Sequence, residues 1–182
     1  PQKESFREAP ISPYSLAKTA STHLLQMLHH NEQFPAVTLR LFLVYGKGQD
    51  DSRFLPQIIK GCIKGKKFPT SMGEQLRDFC HVDDISDGIV SAFTKNNIEG
   101  EVINLGSGAP ISIRMMIENI SKIIGSGFPQ YGQIPYRSGE NMALYPDIHK
   151  ALKLLDWKPK IDLDEGLKST IKYYEEKFLN SH

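Results

Sequence analysis

The alternation of apolar and polar positions divides this 182-residue chain into a clear series of helices and strands. After Ser12-Pro13, residues Leu16, Ala17, Ala20, Leu24, Met27 and Leu28 fall on one broad helical arc at about 100° per residue, and Thr19, Gln26, His29 and His30 lie on the other side. The serine offers a capping hydroxyl, and proline fits the first helical position because its missing N–H has no partner there. A helix to about residue 31 is predicted. An arc this wide suits a helix that packs on a sheet and also meets a second partner. Residues 36–46, AVTLRLFLVYG, are nearly continuously apolar and end in glycine. That run predicts a strand covered on both faces, as in a parallel sheet.

Further along, RFLPQIIKGCIKGK predicts a helix broken by Gly61 and Gly65, and GEQLRDFCHV predicts a strand. Asp83 or Asp84 is then expected to cap a helix carrying Ile85, Ile89 and Phe93. EVINLGSG reads as a short strand running into glycines. Ser112 is expected to cap a helix whose stripe is Ile113, Met116, Ile117, Ile120 and Ile124, ending at Gly125. A loop rich in Gly, Pro and Tyr covers residues 126–146. Two amphipathic helices close the chain, one near residues 147–155 and one marked by Leu163, Leu167, Ile171, Tyr174 and Phe178. Strands alternating with helices, without repeats, give an α/β fold.

Composition narrows the function classes. Hydrophobic residues make up 40% and charged residues 24%, as in an ordinary globular protein that buries its own core. A net charge of +1, with no basic and aromatic stripe, argues against nucleic-acid binding. No apolar run reaches the length of a membrane span and no signal-peptide pattern opens the chain, so no membrane partner is expected. Cys62 and Cys80 have neither metal-ligand nor redox spacing. No metal is expected, and a reducing cytoplasm fits. The opening PQKESFREAPISP is polar, proline-rich and without an initiating Met. It reads as a loop entering a helix, so the chain is expected to begin inside a domain.

The candidate chemistry lies in SPYSLAK, which places Tyr14 and Lys18 one helical turn apart on the same side. Hydride transfer at a carbinol carbon needs a group that takes or returns the hydroxyl proton. A free phenol, with a pKa near about 10, holds its proton too tightly at neutral pH, and bringing it to neutrality takes roughly 4 kcal/mol. A nearby ammonium and a cofactor's positive ring favour the phenolate. Spacing alone does not decide the matter, since Tyr173 and Lys177 repeat it in the charged terminal helix, and an aromatic stacked on a lysine stem is the plain alternative.

These segments, in this order, resemble the extended short-chain dehydrogenase/reductases that act on nucleotide sugars, the NAD-dependent sugar-nucleotide epimerases and dehydratases. SPYSLAK is similar to that family's Tyr-x-x-x-Lys helix, and RLFLVYG to the strand leaving its cofactor domain. RFLPQII resembles the first helix of its substrate domain, and GEQLRDFCHVDDI its G-x-x-x-R-D-F-x-x-V-D-D-I segment. INLGSG resembles the strand that returns to the cofactor sheet, and YRSGENMALYPDIHKALKLLDWKPKIDLDEGL the closing R-x-G-[DE] and L-x-W-x-P segment.

The resemblance implies a C-terminal remnant of a Rossmann-type parallel sheet plus a small mixed α/β substrate-binding domain. Residues 1–50, with 100–125 returning to them, would belong to the dinucleotide-binding domain, and 51–182 to the nucleotide-sugar domain. Tyr14 would be the catalytic acid/base, and Lys18 would bind the nicotinamide ribose and stabilise the phenolate. Phe42 would lie near the nicotinamide, or equally serve as sheet core. Arg77 and Arg137 would hold the diphosphate of a nucleotide sugar, for which a guanidinium is a rigid, permanently charged donor fork. The plain alternative for Arg77 is an ion pair with Asp78 or Glu74, and for Arg137 one with Glu140.

Three departures from the family pattern stand out. Leu43 occupies the position of a substrate-bonding Asn, and Lys47 that of a Pro. The glycine-rich phosphate loop and the upstream Ser or Thr are missing, and Gly106 and Gly108 follow a late strand without the loop's spacing. The chain alone is therefore expected to bind NAD or NADP poorly and to turn over little. Epimerase, dehydratase and 4-ketoreductase stay open for the intact protein, as does a non-catalytic nucleotide-sugar-binding module. A homodimer paired through the tyrosine-bearing helix is expected.

Overall fold

The computed structural model describes residues 1–179. The capping prediction at Ser12 holds in detail. Helix α1 (Pro13–Glu32) begins in a reciprocal cap, with Ser12 Oγ accepting from Ser15 N at 3.1 Å and Ser15 Oγ accepting from Ser12 N at 2.9 Å. The arc on α1 is far less covered than expected. Thr22 is its buried residue, whereas Leu16, Leu24 and Met27 remain about half exposed.

Residues 36–46 fold as two short strands, β1 (Thr38–Leu41) and β2 (Leu43–Tyr45), which diverge at Phe42. β1 runs parallel to β6 (Val102–Leu105), and β2 runs parallel to β5 (Phe79–His81). The parallel expectation holds, but coverage on both faces does not: Leu41 and Leu43 are exposed, because the chain crosses between two pairings there. The opening segment lies along β6, where Asn104 N donates to Glu4 Oε1 at 2.9 Å and Asn104 Nδ2 to Gln2 O at 2.9 Å.

Helix α2 (Phe54–Ile63) continues through Gly61 instead of breaking there. The glycine admits the Phe68 ring from β3 (Lys67–Pro69), since a Cβ at Gly61 would lie 2.9 Å from Phe68 Cδ1. GEQLRDFCHV is not one strand. β4 (Leu76–Arg77) and β5 separate at Asp78 and join different sheets. β4 pairs with β7 (Ile111–Ser112) and β9 (Ala143–Leu144), and β3 pairs with β8 (Phe128–Gln130), so the predicted loop of 126–146 contains two short strands.

Neither Asp83 nor Asp84 caps α3 (Val82–Thr94). His81 does, its Nδ1 accepting from Asp83 N at 3.2 Å. Asp84 is instead buried, and its carboxylate accepts from Lys160 N and Ile161 N at 3.0 Å each while Trp157 Nε1 donates to its carbonyl. Ser112 caps α4 (Ile113–Ile124) and Gly125 ends it, both as predicted.

The chain closes with α5 (His149–Leu155) and α6 (Leu163–Leu179). One core gathers α2, α4 and α6 around Ile59, Met116, Ile117, Ile120, Leu167 and Tyr174. The other packs α3 and α5 against β6 through Ile85, Ile103, Leu105, Leu155 and Trp157. Among the described residues, no helix is long and apolar enough to cross a membrane.

Candidate functional site

The predicted site residues fall into two groups. On the first turns of α1, Tyr14 and Lys18 meet as the helical spacing requires, with Lys18 Nζ 5.6 Å from the centre of the Tyr14 ring. The pair faces solvent: Tyr14 is 74% exposed, and its turn is fixed by the Ser12 and Ser15 cap and not by packing. Phe42 is half-buried where β1 and β2 diverge, and its N–H donates to Leu105 O at 3.2 Å. Leu43 is exposed beside it, and Lys47 projects from the turn after β2.

The second group surrounds a cleft of about 300 Å³ between α2, α4 and the 131–142 segment. Phe54, Ile58, Ile113, Ile117 and Ile134 give it apolar walls, and Arg137, Glu140, Gln75, Thr70 and Ser71 bring polar groups to it. Glu140 joins the two arginines. It lines the cleft beside Arg137, and its carboxylate pairs with the Arg77 guanidinium, whose Nη1 donates to Leu76 O at 2.7 Å. Arg77 is thus paired with Glu140 and not with its neighbours Asp78 or Glu74, and it is not itself among the lining residues. A second tie holds the same segment, since Tyr136 Oη accepts from Glu74 N at 3.1 Å and donates to Glu74 Oε2 at 3.4 Å. Tyr14 and Lys18 are not among the lining residues.

Asp78 faces away from the cleft. Fully buried, it accepts from Ser107 N, Ser107 Oγ and Gly108 N, all at 2.7 Å. Burial pushes its carboxyl above the usual range against the pull of those hydrogen bonds. The amides of Ser107 and Gly108 are therefore spent inside the protein, not offered to a phosphate. Burial likewise raises the thiol of Cys80 to about 12 and the phenol of Tyr174, whose hydroxyl donates to Gln49 O at 2.6 Å, to about 12.

Sequence reasoning missed Gln75 and misplaced the role of Glu140. The R-x-G-E pattern signalled the glutamate, but its partner lies 63 positions away, beyond the reach of local pattern.

The profile of the NAD dependent epimerase/dehydratase family matches residues 1–106. The chain belongs to that family. It is 32% identical over 171 residues to a UDP-glucuronate 4-epimerase of Thermodesulfobacterium geofontis, covering 93% of this chain and 52% of that protein. A dTDP-glucose 4,6-dehydratase of Xanthomonas campestris is 28% identical over 181 residues, with 94% and 51% covered. Among solved structures, the UDP-glucose 4-epimerase of Thermotoga maritima with UDP-glucose aligns with a TM-score of 0.90 at 29% identity, covering 98% of this chain and 58% of that one. The UDP-glucuronic acid 4-epimerase of Bacillus cereus, in complex with UDP-glucuronic acid and NAD, aligns at 0.88 and 34% identity, covering 96% and 56%. These relatives are Rossmann-type, NAD-dependent enzymes of nucleotide-sugar chemistry. The chain spans about half the length of the curated relatives it matches.

Proposed function

We propose that this chain supplies the substrate-binding part and the proton-transfer pair of an NAD(P)-dependent nucleotide-sugar epimerase or dehydratase. The observation that carries the reading is the cleft, whose lining combines the apolar Phe54, Ile58, Ile113, Ile117 and Ile134 with Arg137 and with Glu140, which pairs with Arg77. Apolar slabs suit a planar base, and guanidinium forks suit a diphosphate. Residues 1–50, with 100–125 returning to them, would face the dinucleotide, and the parallel pairing of β1 with β6 supports that division. Residues 51–182 would form the sugar-nucleotide side, of which 180–182 lie outside the described residues.

Tyr14 and Lys18 suit the other half of the chemistry. The exposed ammonium is a donor for ribose hydroxyls, and the phenol beside it is free to reach a ligand. A bound nicotinamide would supply the hydride acceptor. Tyr14 then takes the hydroxyl proton as the C–H bond of the sugar carbinol breaks and returns it on reduction. Lys18 favours the phenolate, Phe42 borders the ring, and Arg77 and Arg137 hold the diphosphate. Reduction from the opposite face gives an epimerase, loss of a hydroxyl a dehydratase, and one-way reduction a 4-ketoreductase serving polysaccharide biosynthesis.

The test is an assay of sugar-nucleotide conversion, read as product formed, with UDP-glucose, UDP-glucuronate and dTDP-glucose, run on the longest polypeptide in which this sequence occurs. Turnover that falls with changes at Tyr14, Arg77 and Arg137 supports the reading. Nucleotide binding without turnover would instead support the non-catalytic module, and absence of both removes the proposal. We also place the protein in the cytoplasm, in keeping with two buried, unbridged cysteines. Two copies would pair through the exposed Leu16, Leu24 and Met27 of α1. Light scattering showing a strict monomer would remove the pairing.

A further inference from the structure

The balanced charge of the chain hides an uneven distribution. Residues 52–73 and 119–139 carry seven Lys and Arg between them and no Asp or Glu, although the whole chain has 22 against 21, so the remainder is acidic. The two basic segments meet in the structure. Ser121 Oγ of α4 lies 3.3 Å from Cys62 Sγ of α2, and a Cβ on Gly65 would stand 3.4 Å from Ser126 Oγ. β3 runs parallel to β8 with Lys67 in register with Phe128. Phe68 turns inward onto Gly61, so Lys67 turns outward beside Phe128, which is 55% exposed. Lys64 and Lys66, in the turn before β3, and Lys122, in the last turn of α4, are exposed as well.

Among the described residues, none of Lys64, Lys66, Lys67 and Lys122 has an ion pair. The helix ends account for two of them. Lys64 is the C-cap of α2 and Lys122 sits in the last turn of α4, where the helix dipole favours a cation. Lys66 and Lys67 lie beyond both helices and gain nothing from either end. Like charges gathered about a solvent-exposed ring do not stabilise the fold; they suit a partner outside it.

We propose that Lys64, Lys66, Lys67 and Lys122, gathered about the exposed Phe128, form a face that rests on an anionic membrane surface. The proposal is independent of the chemistry of the cleft. All the cations of the face are lysines, flexible point charges without the fork by which arginine reads a fixed phosphate or carboxylate. Such charges suit headgroups that offer negative charge everywhere and in no set register. An extended acidic peptide would instead add a strand to the two-stranded sheet. β3 and β8 each carry a proline, Pro69 and Pro129, and so lack an N–H that a third strand needs. The Phe128 ring among the lysines supplies apolar depth at the boundary of headgroup and acyl chain. Contact from one side requires no span, so the lack of a long apolar helix among the described residues does not oppose it.

The experiment is flotation of the full chain with vesicles of phosphatidylcholine alone or mixed with phosphatidylglycerol, at low and at high salt. The anionic vesicles should carry the protein at low salt, and neutral vesicles or high salt should release it. Each lysine near an anionic surface changes partitioning about fivefold, so Lys66→Glu together with Lys67→Glu should lower binding at least about 25-fold. Phe128→Ser should lower it about tenfold. Lys153→Glu together with Lys158→Glu makes the same change in net charge at and just beyond α5, and should lower binding less than about fivefold. The comparison of vesicles and salts on the unaltered chain does not depend on any variant folding. Equal binding to the two kinds of vesicle, binding that persists at high salt, or equal losses from the two paired changes overturns the proposal. Tighter binding at the same salt to single-stranded DNA or to poly-glutamate than to the anionic vesicles overturns it too, because the face then belongs to another class of partner.

Discussion

Asp84→Ala should be among the most costly single changes in this chain, although Asp84 touches no candidate catalytic group. Its carboxylate is 3% exposed and accepts from Lys160 N and Ile161 N, each at 3.0 Å. Each hydrogen bond to a charged acceptor contributes about 1.5–3 kcal/mol, and alanine leaves both amides without that partner. Part of the loss is offset, because the buried carboxylate no longer has to be desolvated. The net expectation is about 3 kcal/mol, or a fall in melting temperature of roughly 6–12 °C for a chain of this size. Asp83→Ala is the control. Its side chain is 63% exposed, and the change should cost about 0.5 kcal/mol or less. Urea unfolding of the two variants, with thermal melts alongside, measures both. If Asp84→Ala costs less than about 1 kcal/mol, or the two changes cost alike, the latch onto residues 160 and 161 is not a determinant of stability.

Gly166→Ala should destabilise by about 1–3 kcal/mol in urea unfolding, because its new Cβ would lie 2.2 Å from the hydroxyl of buried Tyr45; a variant as stable as the parent would disprove the close approach. Tyr14→Phe should lower kcat by about 10²–10⁴-fold in any polypeptide of this sequence that turns over nucleotide sugar, with the melting temperature unchanged because Tyr14 is exposed, and a kcat within tenfold of the parent would remove its role. Alkali should weaken the fold: the acids of Cys80 and Tyr174 are raised from 9.0 and 10.0 to about 12, and that of Tyr45 is raised as well, all by burial. The native state thus holds protons that the unfolded chain releases, and stability should fall as pH rises from about 9 toward 12; urea midpoints that stay constant over that window would contradict the burial of these groups.

Much of the fold was legible in the sequence because its signals are local. The Ser12 cap, the Ser112 cap, the Gly125 stop and the stripe of α4 all depend on residues within a turn or two of one another. The errors came where distant chain decides. Gly61 reads as a helix breaker until Phe68 is seen filling the space it leaves. The aspartates after β5 read as caps until the 160–161 backbone is found on Asp84. In the site, Tyr14 and Lys18 were visible because a helical turn enforces their meeting. The Arg77–Glu140 pair was not, since it depends on how the segment before β9 folds back beside β4.

Arg77 and Asp78 are covalent neighbours fastened to different elements, one to Glu140 at the cleft and the other to the turn at Ser107 and Gly108. One peptide unit therefore acts as a rivet between those two elements. Any sliding of the turn after β6 would drag β4 with it, because Asp78 is held by Ser107 and Gly108 while the adjoining Arg77 is held by Glu140. Changes to the lining of the cleft should accordingly leave that rivet alone.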